Sequence, residues 1–571
     1  MATGSAQQKD RPVRSLTRRA FLARAATLGL AGPAALVTAC QQPTSPNRSS
    51  ETRPAAPTLL TLPTSTPAVT AKTGAQAAPP TPTPKTGGVL AWAVGADADP
   101  GDLDPYTNRS VASVRAWGDL TYQSLVMYDD QMKLVPALAE TWVNTSPTTW
   151  TFKLRQGVTF HDGSEFDAED VRFWFERLMA PATASPHRAA FAHIAKVEPH
   201  GRYEVEFTLT GPYAPFLATF ASLNGSAIAP RRWLQGAGAA SKTTAVGSGP
   251  FKIAEYVPGS HITYARHAGY WEKRLPYLAT VTLSFLRDPD ALVTALRDRQ
   301  VHGATIGADL LARVRSERSL TLVSAAGATQ HMTIMNARRK PFDDVRVRQA
   351  LALVVDRTAV VTQLAGGEGQ LTGPIPTGLG SWATPLDELP YQRDLPAARA
   401  LLADAGHASG FAATIRTTAE SPALLGIATL LAEQLRPLGI TLTTEQVSGS
   451  TLATAHRTHD FDLLAYIAGL QPDPDGYLSA IYHANGAQNA SGWQNRRFDD
   501  AVNAARTVLD PGQRRALYNA ASGILFDEAP HIWWFTENRL AVVQADPPTV
   551  RGYVPAYNGQ RGLLKTAWLD G

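Results

Sequence analysis

The stretch that most constrains this chain is residues 246–271, which reads VGSGPFKIAEYVPGSHITYARHAGYW. Few residue types fit its turn at 247–250, because glycine takes positive φ freely and proline fixes φ. Two alternating segments follow, 251–257 and 261–266, and Pro258-Gly259 separates them, so the pattern predicts a β-hairpin. The turn is either a structural feature alone or a place where another backbone or a ligand approaches closely.

The first forty residues have the pattern of an export signal. Basic residues precede an apolar run of about thirteen residues, which is short for a membrane span. Within the basic region, Thr17-Arg18-Arg19-Ala20-Phe21-Leu22 resembles the twin-arginine export motif. We therefore expect residues 1–40 to direct export and to be absent from the folded domains.

Cys40 ends the apolar run in the string VTAC, which resembles a bacterial lipobox. The resemblance implies that the Cys40 thiol is acylated and becomes the new N-terminus. It is the only cysteine in the sequence, so no disulfide within one chain and no cysteine-based metal site is possible. Residues 41–86 are rich in Pro, Thr and Ala, and we predict a disordered tether there.

Charge is distributed unevenly along the chain. Residues 1–86 hold ten of the 53 basic residues and two of the 49 acidic ones, so the remainder carries 43 basic against 47 acidic residues. Residues 1–86 therefore account for the basic isoelectric point of the sequence. We expect no binding of nucleic acid.

Several blocks in the remaining chain carry a family resemblance. They include LDPY at 103–106, PALAETW at 136–142, GVTFHDG at 157–163, PFDDVRVRQALALVVDR at 341–357, and DPDGYL at 473–478. With the GSGPFK turn they resemble, in the same order, the extracytoplasmic solute-binding proteins of peptide- and nickel-type ABC importers (family 5). The resemblance covers about residues 87–571. Helical spacing is present at 168–179 and 422–435, and the family's final helix corresponds to residues 518–530.

The resemblance implies an α/β protein with the two-lobed periplasmic-binding-protein fold of type II, in which mixed sheets are flanked by helices and a ligand cleft separates the lobes. Lobe I would comprise residues 87–118, 246–328 and 541–571. An additional domain, 119–245, would pack on lobe I, and lobe II would comprise residues 329–540.

The function implied is that of a lipid-anchored receptor that captures an oligopeptide or dipeptide and delivers it to an ABC permease with its ATPase subunits. It would be a monomer without a cofactor, placed in the periplasm or on the cell surface. A receptor for an oligosaccharide or a metal chelate, and a sensor on the same fold, remain alternatives. A secreted hydrolase is a remote alternative, because the sequence has neither HExxH nor GxSxG.

In peptide-binding relatives an acidic residue near a Gly-Trp and Asp-Pro block pairs with the ligand's ammonium group. Here Leu470 follows Gly469 where relatives have Trp, and only Gln471 and Pro472 precede Asp473. The resemblance makes Asp473 the candidate amine anchor, with Asp475 next. The alternative is that both carboxylates only cap the turn before a helix predicted at Tyr477–Tyr482. Residues 469–471 would border the ligand.

Two tryptophans are candidates for stacking on a ligand, Trp493 and the loop residue Trp382. Each also has a structural alternative. Tyr106, Asn108 and Arg109 match a family region that borders the cleft. His161-Asp162 invites a catalytic or metal-binding hypothesis, but no second histidine stands at ligand spacing, so we expect a loop whose side chains cap backbone groups.

Overall fold

The computed structural model describes residues 83–571 apart from gaps at 96–97, 110–117, 130–131, 224, 391, 470, 472, 554 and 556–563. The predicted export signal, Cys40 and most of the predicted tether lie outside these described residues. Within the described ranges, no helix combines the length and the apolar character that crossing a membrane requires.

A mixed sheet of seven strands uses both ends of the described chain. Val89–Val94 pairs in parallel with Thr280–Phe285 on one side and with Gly303–Ile306 on the other. The predicted hairpin is confirmed as Phe251–Val257 and His261–Arg266, which form one edge of this sheet. The spatial order is Leu320–Ala325, Arg539–Gln544, Gly303–Ile306, Val89–Val94, Thr280–Phe285, His261–Arg266, Phe251–Val257.

The glycine turn before the hairpin packs directly against another segment of backbone. A Cβ atom on Gly247 would lie 2.1 Å from the carbonyl oxygen of Thr121, and one on Gly249 would lie 2.5 Å from that of Leu120. His161 closes the other side, since its Nδ1 accepts the Gly247 N–H at 3.2 Å. The two glycines thus serve the approach of a second backbone segment, one of the alternatives that the sequence leaves open.

The second mixed sheet has six strands, all of which lie between residues 330 and 537. Gln330–Met335 lies between two antiparallel neighbours, Leu463–Ala468 and His531–Glu537. The helix Pro422–Leu435 has the predicted bounds and connects two parallel strands. The spatial order is Gly369–Leu371, His531–Glu537, Gln330–Met335, Leu463–Ala468, Ala412–Thr417, Thr441–Gln446.

A four-stranded antiparallel sheet lies between the first strand and the hairpin in the sequence. Its spatial order is Ala139–Ser146, Thr149–Leu154, Glu204–Leu209, Ile194–Pro199. The predicted helix Ala168–Met179 packs beside it and begins with a capping box, in which Asp167 accepts the Glu169 N–H and Asp170 accepts the Asp167 N–H. Its core is aromatic and contains Trp150, Phe152, Trp174, Phe207, Phe216 and Phe220.

The helices and short strands complete the described elements. The other α-helices are Asp119–Thr121, Phe216–Phe220, Arg231–Ala237, Pro289–Arg297, Leu311–Arg315, Val345–Val354, Arg357–Leu364, Leu395–Asp404, Gly449–Thr458, Pro474–Tyr477, Arg496–Thr507 and Pro511–Glu528. Shorter helical turns are Pro181–Thr183, Arg188–Phe191, Gly238–Lys242, Ala308–Leu310, Thr377–Trp382, Leu386–Glu388, Arg436–Leu438 and Leu478–Tyr482. Short strands pair as Val126–Tyr128 with Leu134–Pro136, and Thr549–Arg551 with Trp568–Asp570.

The chain passes between the two larger sheets at 326–329 and again at Asn538. One hydrophobic core joins the four-stranded sheet to a face of the seven-stranded sheet, and a separate core surrounds the six-stranded sheet. Met132 packs against both of these cores.

Candidate functional site

The segment 469–477 lies at the edge of the six-stranded sheet where the chain crosses to the seven-stranded one. Ala468 ends its strand opposite Gln330, the first strand residue after the crossing. The hydroxyl of Tyr477 donates to the carbonyl oxygen of Ala328 at 2.8 Å and so ties the segment to the crossing. Loops at this edge are placed by two rigid strands, which is a favourable position for a binding site.

Asp473 forms a buried two-point ion pair with Arg514. Nη1 and Nη2 of the guanidinium donate to the two carboxylate oxygens at 2.8 and 2.5 Å. The Asp473 side chain is 9% exposed and the Arg514 side chain is 6% exposed. Nη2 also donates to the hydroxyl of Tyr518, and Nε to the carbonyl of Ala505. Asp473 in addition caps the helix Pro474–Tyr477, since it accepts the N–H of Asp475 at 2.9 Å. The carboxylate is therefore neutralised by a fixed cation.

Asp475 is the second buried carboxylate of this segment and also has a cation beside it. Its Oδ1 accepts the Ser479 hydroxyl at 2.6 Å and lies 3.3 Å from Nε of Arg506. Burial raises the pKa of Asp475, and the Arg506 charge and the Ser479 hydrogen bond oppose that rise. Both carboxylates are thus held by side chains of the helices that follow.

Trp382 lies over the guanidinium that binds Asp473. Its ring is 5.2 Å from the guanidinium carbon of Arg514 and 5.8 Å from that of Arg515. Arg515 donates from Nη2 to the hydroxyl of Ser381 at 3.0 Å. Unlike Arg514, it has no carboxylate within ion-pair distance among the described residues. We call the following residues the edge cluster: Trp382, Asp473, Asp475, Arg506, Arg514, Arg515 and Tyr518.

Residues of the N-terminal half reach the edge cluster. The N–H of Ala214 donates to the carbonyl oxygen of Arg506 at 2.6 Å, and the Arg506 guanidinium lies 5.8 Å from the ring of Tyr213. Burial raises the pKa of both Tyr213 and Tyr128 above the ordinary range, and the nearby carboxylate of Asp473 raises it further. The edge cluster therefore lies where the two halves of the molecule meet.

The structure brings together three of the residues that the sequence analysis assigns to the ligand site, Asp473, Asp475 and Trp382. Gln471 lies next to them, and its N–H donates to the Tyr477 hydroxyl at 3.1 Å. Gly469 is exposed at the end of its strand. Asp473 caps a helix, but that helix begins at Pro474 and not at Tyr477, and Asp475 binds Ser479 and Arg506 instead of capping. The role of Asp473 as an amine anchor stays a prediction.

The remaining candidates of this region are placed differently. Leu470 lies outside the described residues. Trp493 is 4% exposed and packs in the core of the six-stranded sheet, with its ring 5.3 Å from that of Phe498. In this conformation Trp493 has a structural role, because a ring that stacks on a ligand must be open to it.

Tyr106, Asn108 and Arg109 lie in a loop of the other half. Tyr106 is fully buried under the guanidinium of Arg177, which forms an ion pair with Asp104. Asn108 is buried and donates to two carbonyl groups of its own loop. Asn108 and the exposed Arg109 border a surface cavity of about 460 Å³. Their role in a cleft stays a prediction.

The loop at His161-Asp162 has the structural role that the sequence analysis favours. Asp162 accepts the N–H and the hydroxyl of Ser164, at 3.0 and 2.6 Å. Burial lowers the pKa of His161 to about 3, which keeps the ring neutral as it binds the glycine turn. Among the described residues, no group of three or more His, Cys, Asp or Glu side chains is placed to hold a metal ion.

The sequence analysis missed the partners of the two carboxylates, Arg506 and Arg514, and the tyrosines that face them. One signal was available. Two aspartates between apolar residues need counter-charges if they are buried. Which of the many arginines supply those charges is settled only by the packing of the helices Arg496–Thr507 and Pro511–Glu528.

Comparison with known proteins gives a consistent result. The sequence model of the bacterial extracellular solute-binding proteins, family 5, matches residues 133–489. Di/tripeptide-binding protein 2 of Pseudomonas aeruginosa is 28% identical over 495 residues, which are 81% of this chain and 92% of that protein. The glutathione-binding protein of Escherichia coli K12 is 27% identical over 443 residues, covering 75% and 86% of the two chains.

A solved structure shares the fold. The periplasmic binding protein DppA of Helicobacter pylori, in complex with the peptide STSA, superposes with a TM-score of 0.68 at 25% identity. The superposition covers 85% of this chain and 99% of that one. The fold is therefore the two-lobed α/β architecture of periplasmic binding proteins, as the sequence analysis expects.

Proposed function

The chain belongs to the bacterial extracellular solute-binding proteins of family 5, and on that premise we propose that it captures an oligopeptide or dipeptide and delivers it to an ABC importer. Proteins of this family bind solutes without converting them, outside the cytoplasm, and work with a permease and its ATPase subunits. The observation that carries the peptide assignment is the similarity to a di/tripeptide-binding protein over 81% of the chain.

We assign lobe I to residues 87–118, 246–328 and 541–571, the additional domain to 119–245, and lobe II to 329–540. The separate seven- and six-stranded sheets support this division except at its last boundary, where Arg539–Gln544 already belongs to the seven-stranded sheet, and the two crossings between the sheets would act as hinges. A ligand favours closure of such lobes only through better contacts with the closed form than with the open one. The edge cluster, with the residues from 469 to 475, would supply those contacts on lobe II.

We further propose that the protein is exported through its twin-arginine signal and anchored by lipid on Cys40, as a monomer. The position of Cys40 directly after an apolar run and small residues supports this anchor. The test is the mass of the N-terminal peptide from the membrane fraction. A diacylated or triacylated cysteine is expected, together with release of a Cys40→Ser variant into the soluble fraction. An unmodified Cys40 in a membrane-bound protein would refute the anchor.

The function itself is tested by native mass spectrometry on gently purified protein, followed by identification of the released small molecules. A ligand at 100 times its Kd adds about 2.7 kcal/mol to the stability of the protein, so a thermal shift on adding the released compound checks the identification. A mixed set of peptide masses supports a peptide receptor. A single sugar or metal-chelate mass keeps the solute-binding function and refutes the peptide assignment.

A further inference from the structure

One carboxylate of the six-stranded half binds groups of the seven-stranded half beside the crossings. Oε1 of Glu368 accepts a hydrogen bond from Nη2 of Arg315 at 2.7 Å, and Oε2 accepts one from the hydroxyl of Ser324, also at 2.7 Å. Oε2 accepts another from Nδ2 of Asn538, a crossing residue, at 3.3 Å. Burial would raise the pKa of Glu368, but these hydrogen bonds and the Arg315 charge lower it, so the carboxylate is ionised. We call these four residues the crossing network.

Main-chain contacts fix the same place. Nη1 of Arg315 donates to the carbonyl oxygen of Gly366 at 2.9 Å, and the N–H of Asn538 donates to the carbonyl oxygen of Glu368 at 3.2 Å. Gly366 has a φ of +56°, and a Cβ on it would lie 3.0 Å from a methyl carbon of the helix Leu311–Arg315. The loop that carries Glu368 therefore fits closely against a helix of the other half.

The crossing network and the edge cluster lie on opposite sides of the two crossing strands. Glu368 directly precedes the edge strand beside His531–Glu537, whereas segment 469–477 follows the strand on the far side of Gln330–Met335. At the edge cluster the halves meet as well, through the hydrogen bond that the N–H of Ala214 donates. The halves are thus in contact on both sides of the crossing strands, as expected of a closed form.

A hinge motion at the crossings would break the crossing network. Arg315 and Ser324 belong to the proposed lobe I, whereas Glu368 belongs to the proposed lobe II. A hydrogen bond is lost once its donor and acceptor are more than about 3.5 Å apart. These bonds therefore form only in a narrow range of lobe orientations, and none of the four residues belongs to the edge cluster.

We propose that Glu368 is a positioning residue, which holds the lobes closed through Arg315 and Ser324 and so raises the affinity for the solute from outside the binding site. This inference rests on the proposed function, since lobe closure is what retains the solute. The observed affinity of a protein is reduced by the fraction of its molecules in the binding-competent form. Loss of the crossing network therefore weakens binding of any solute by one factor, whatever the chemistry of that solute.

The test measures lobe closure directly and needs no solute. Cysteines replace the exposed residues Ala254 of lobe I and Ala453 of lobe II in the full chain with Cys40→Ser, and pulsed electron spin resonance gives the distance between spin labels on them. We expect Glu368→Gln to lower the ratio of molecules at the distance of this conformation to all others about threefold to tenfold, because Arg315 is half-exposed and limits the effect.

A second measurement tests the consequence for binding. The probe is one equimolar pool of synthetic di- to pentapeptides, and the affinity is measured by equilibrium dialysis and mass spectrometry. Glu368→Gln should weaken binding by the same factor as the change in closure. Ser324→Ala, which removes one hydroxyl of lobe I from the network, should change both quantities in the same direction by about twofold.

The matched control is Glu317→Gln, which breaks an ion pair with Arg297 of 2.5 Å that lies entirely within lobe I. The Glu317 side chain is 24% exposed and that of Glu368 is 17% exposed, so the two changes are similar in burial. The control should leave label distances and affinity unchanged. An unchanged distance distribution in Glu368→Gln overturns the inference even if the protein is less stable, and so does altered closure with unchanged affinity. If the wild type binds no peptide, the peptide assignment is refuted, and the label distances still decide the inference.

Discussion

Replacing Asp473 by Asn tests whether this carboxylate stabilises the fold or holds the solute. Asn keeps the side-chain shape and an oxygen that caps the helix, but it removes the negative charge that faces Arg514. The guanidinium is 6% exposed and stays protonated, so it becomes a buried charge without a counter-charge. Breaking a buried pair in this way costs about 3–5 kcal/mol.

The expected change in melting temperature follows from the entropy of unfolding, which is about 2.1 cal/mol/K per residue near 60 °C. If residues 330–537 unfold as a unit, Asp473→Asn lowers the Tm by about 7–11 °C. If the whole described chain unfolds together, the decrease is about 3–5 °C. Differential scanning calorimetry on the dialysed full-length protein measures this quantity and also reports how many units unfold.

Two further variants make the result decisive. Adding Arg514→Met to Asp473→Asn removes the unbalanced cation and should restore at least half of the lost Tm. The control is Asp500→Asn, which breaks an ion pair between Asp500 and Arg496 with an N–O distance of 3.8 Å. These side chains are 70% and 94% exposed, respectively, so the Tm should shift by less than about 1 °C. A Tm of Asp473→Asn within about 1 °C of the wild type, with weakened binding of free peptides, would refute a structural role.

Two other predictions concern packing and pH. Gly249→Ala places a Cβ 2.5 Å from the carbonyl of Leu120, so we expect a loss of about 1–3 kcal/mol of stability by calorimetry, while Gly211→Ala, with open space around it, is neutral within about 0.5 kcal/mol. Burial, with a smaller contribution from His456, lowers the pKa of His531 to about 3. As the pH falls below about 6.5, the unfolded chain takes up a proton that the folded one does not, so His531 removes about 1.4 kcal/mol of stability per pH unit. His531→Phe should flatten the decrease in stability between pH 6 and pH 4 by that slope, and parallel curves for the two proteins would contradict this.

The sequence predicted a helix or strand correctly where contacts between residues close in the chain determine it. The helix Ala168–Met179 follows from its apolar side at helical spacing, and the hairpin of Phe251–Val257 with His261–Arg266 follows from alternation around a Pro-Gly turn. The final helix was expected from residue 518, whereas it begins at Pro511 with Asp510 as its cap. The Asp-Pro-Gly string there is also typical of a loop, and only packing of the helix against Arg496–Thr507 decides between the two.

The same limit explains which part of the candidate site could be predicted. Sequence patterns identified the acids at 473 and 475 but not the bases, because Arg514 lies 41 residues from Asp473 and meets it only when a helix packs beneath the edge of the sheet. An acid seen without its base resembles an anchor for a ligand cation. With Arg514 in place, the carboxylate of Asp473 already has a cation and a capped N–H as partners, and neither contact involves a ligand.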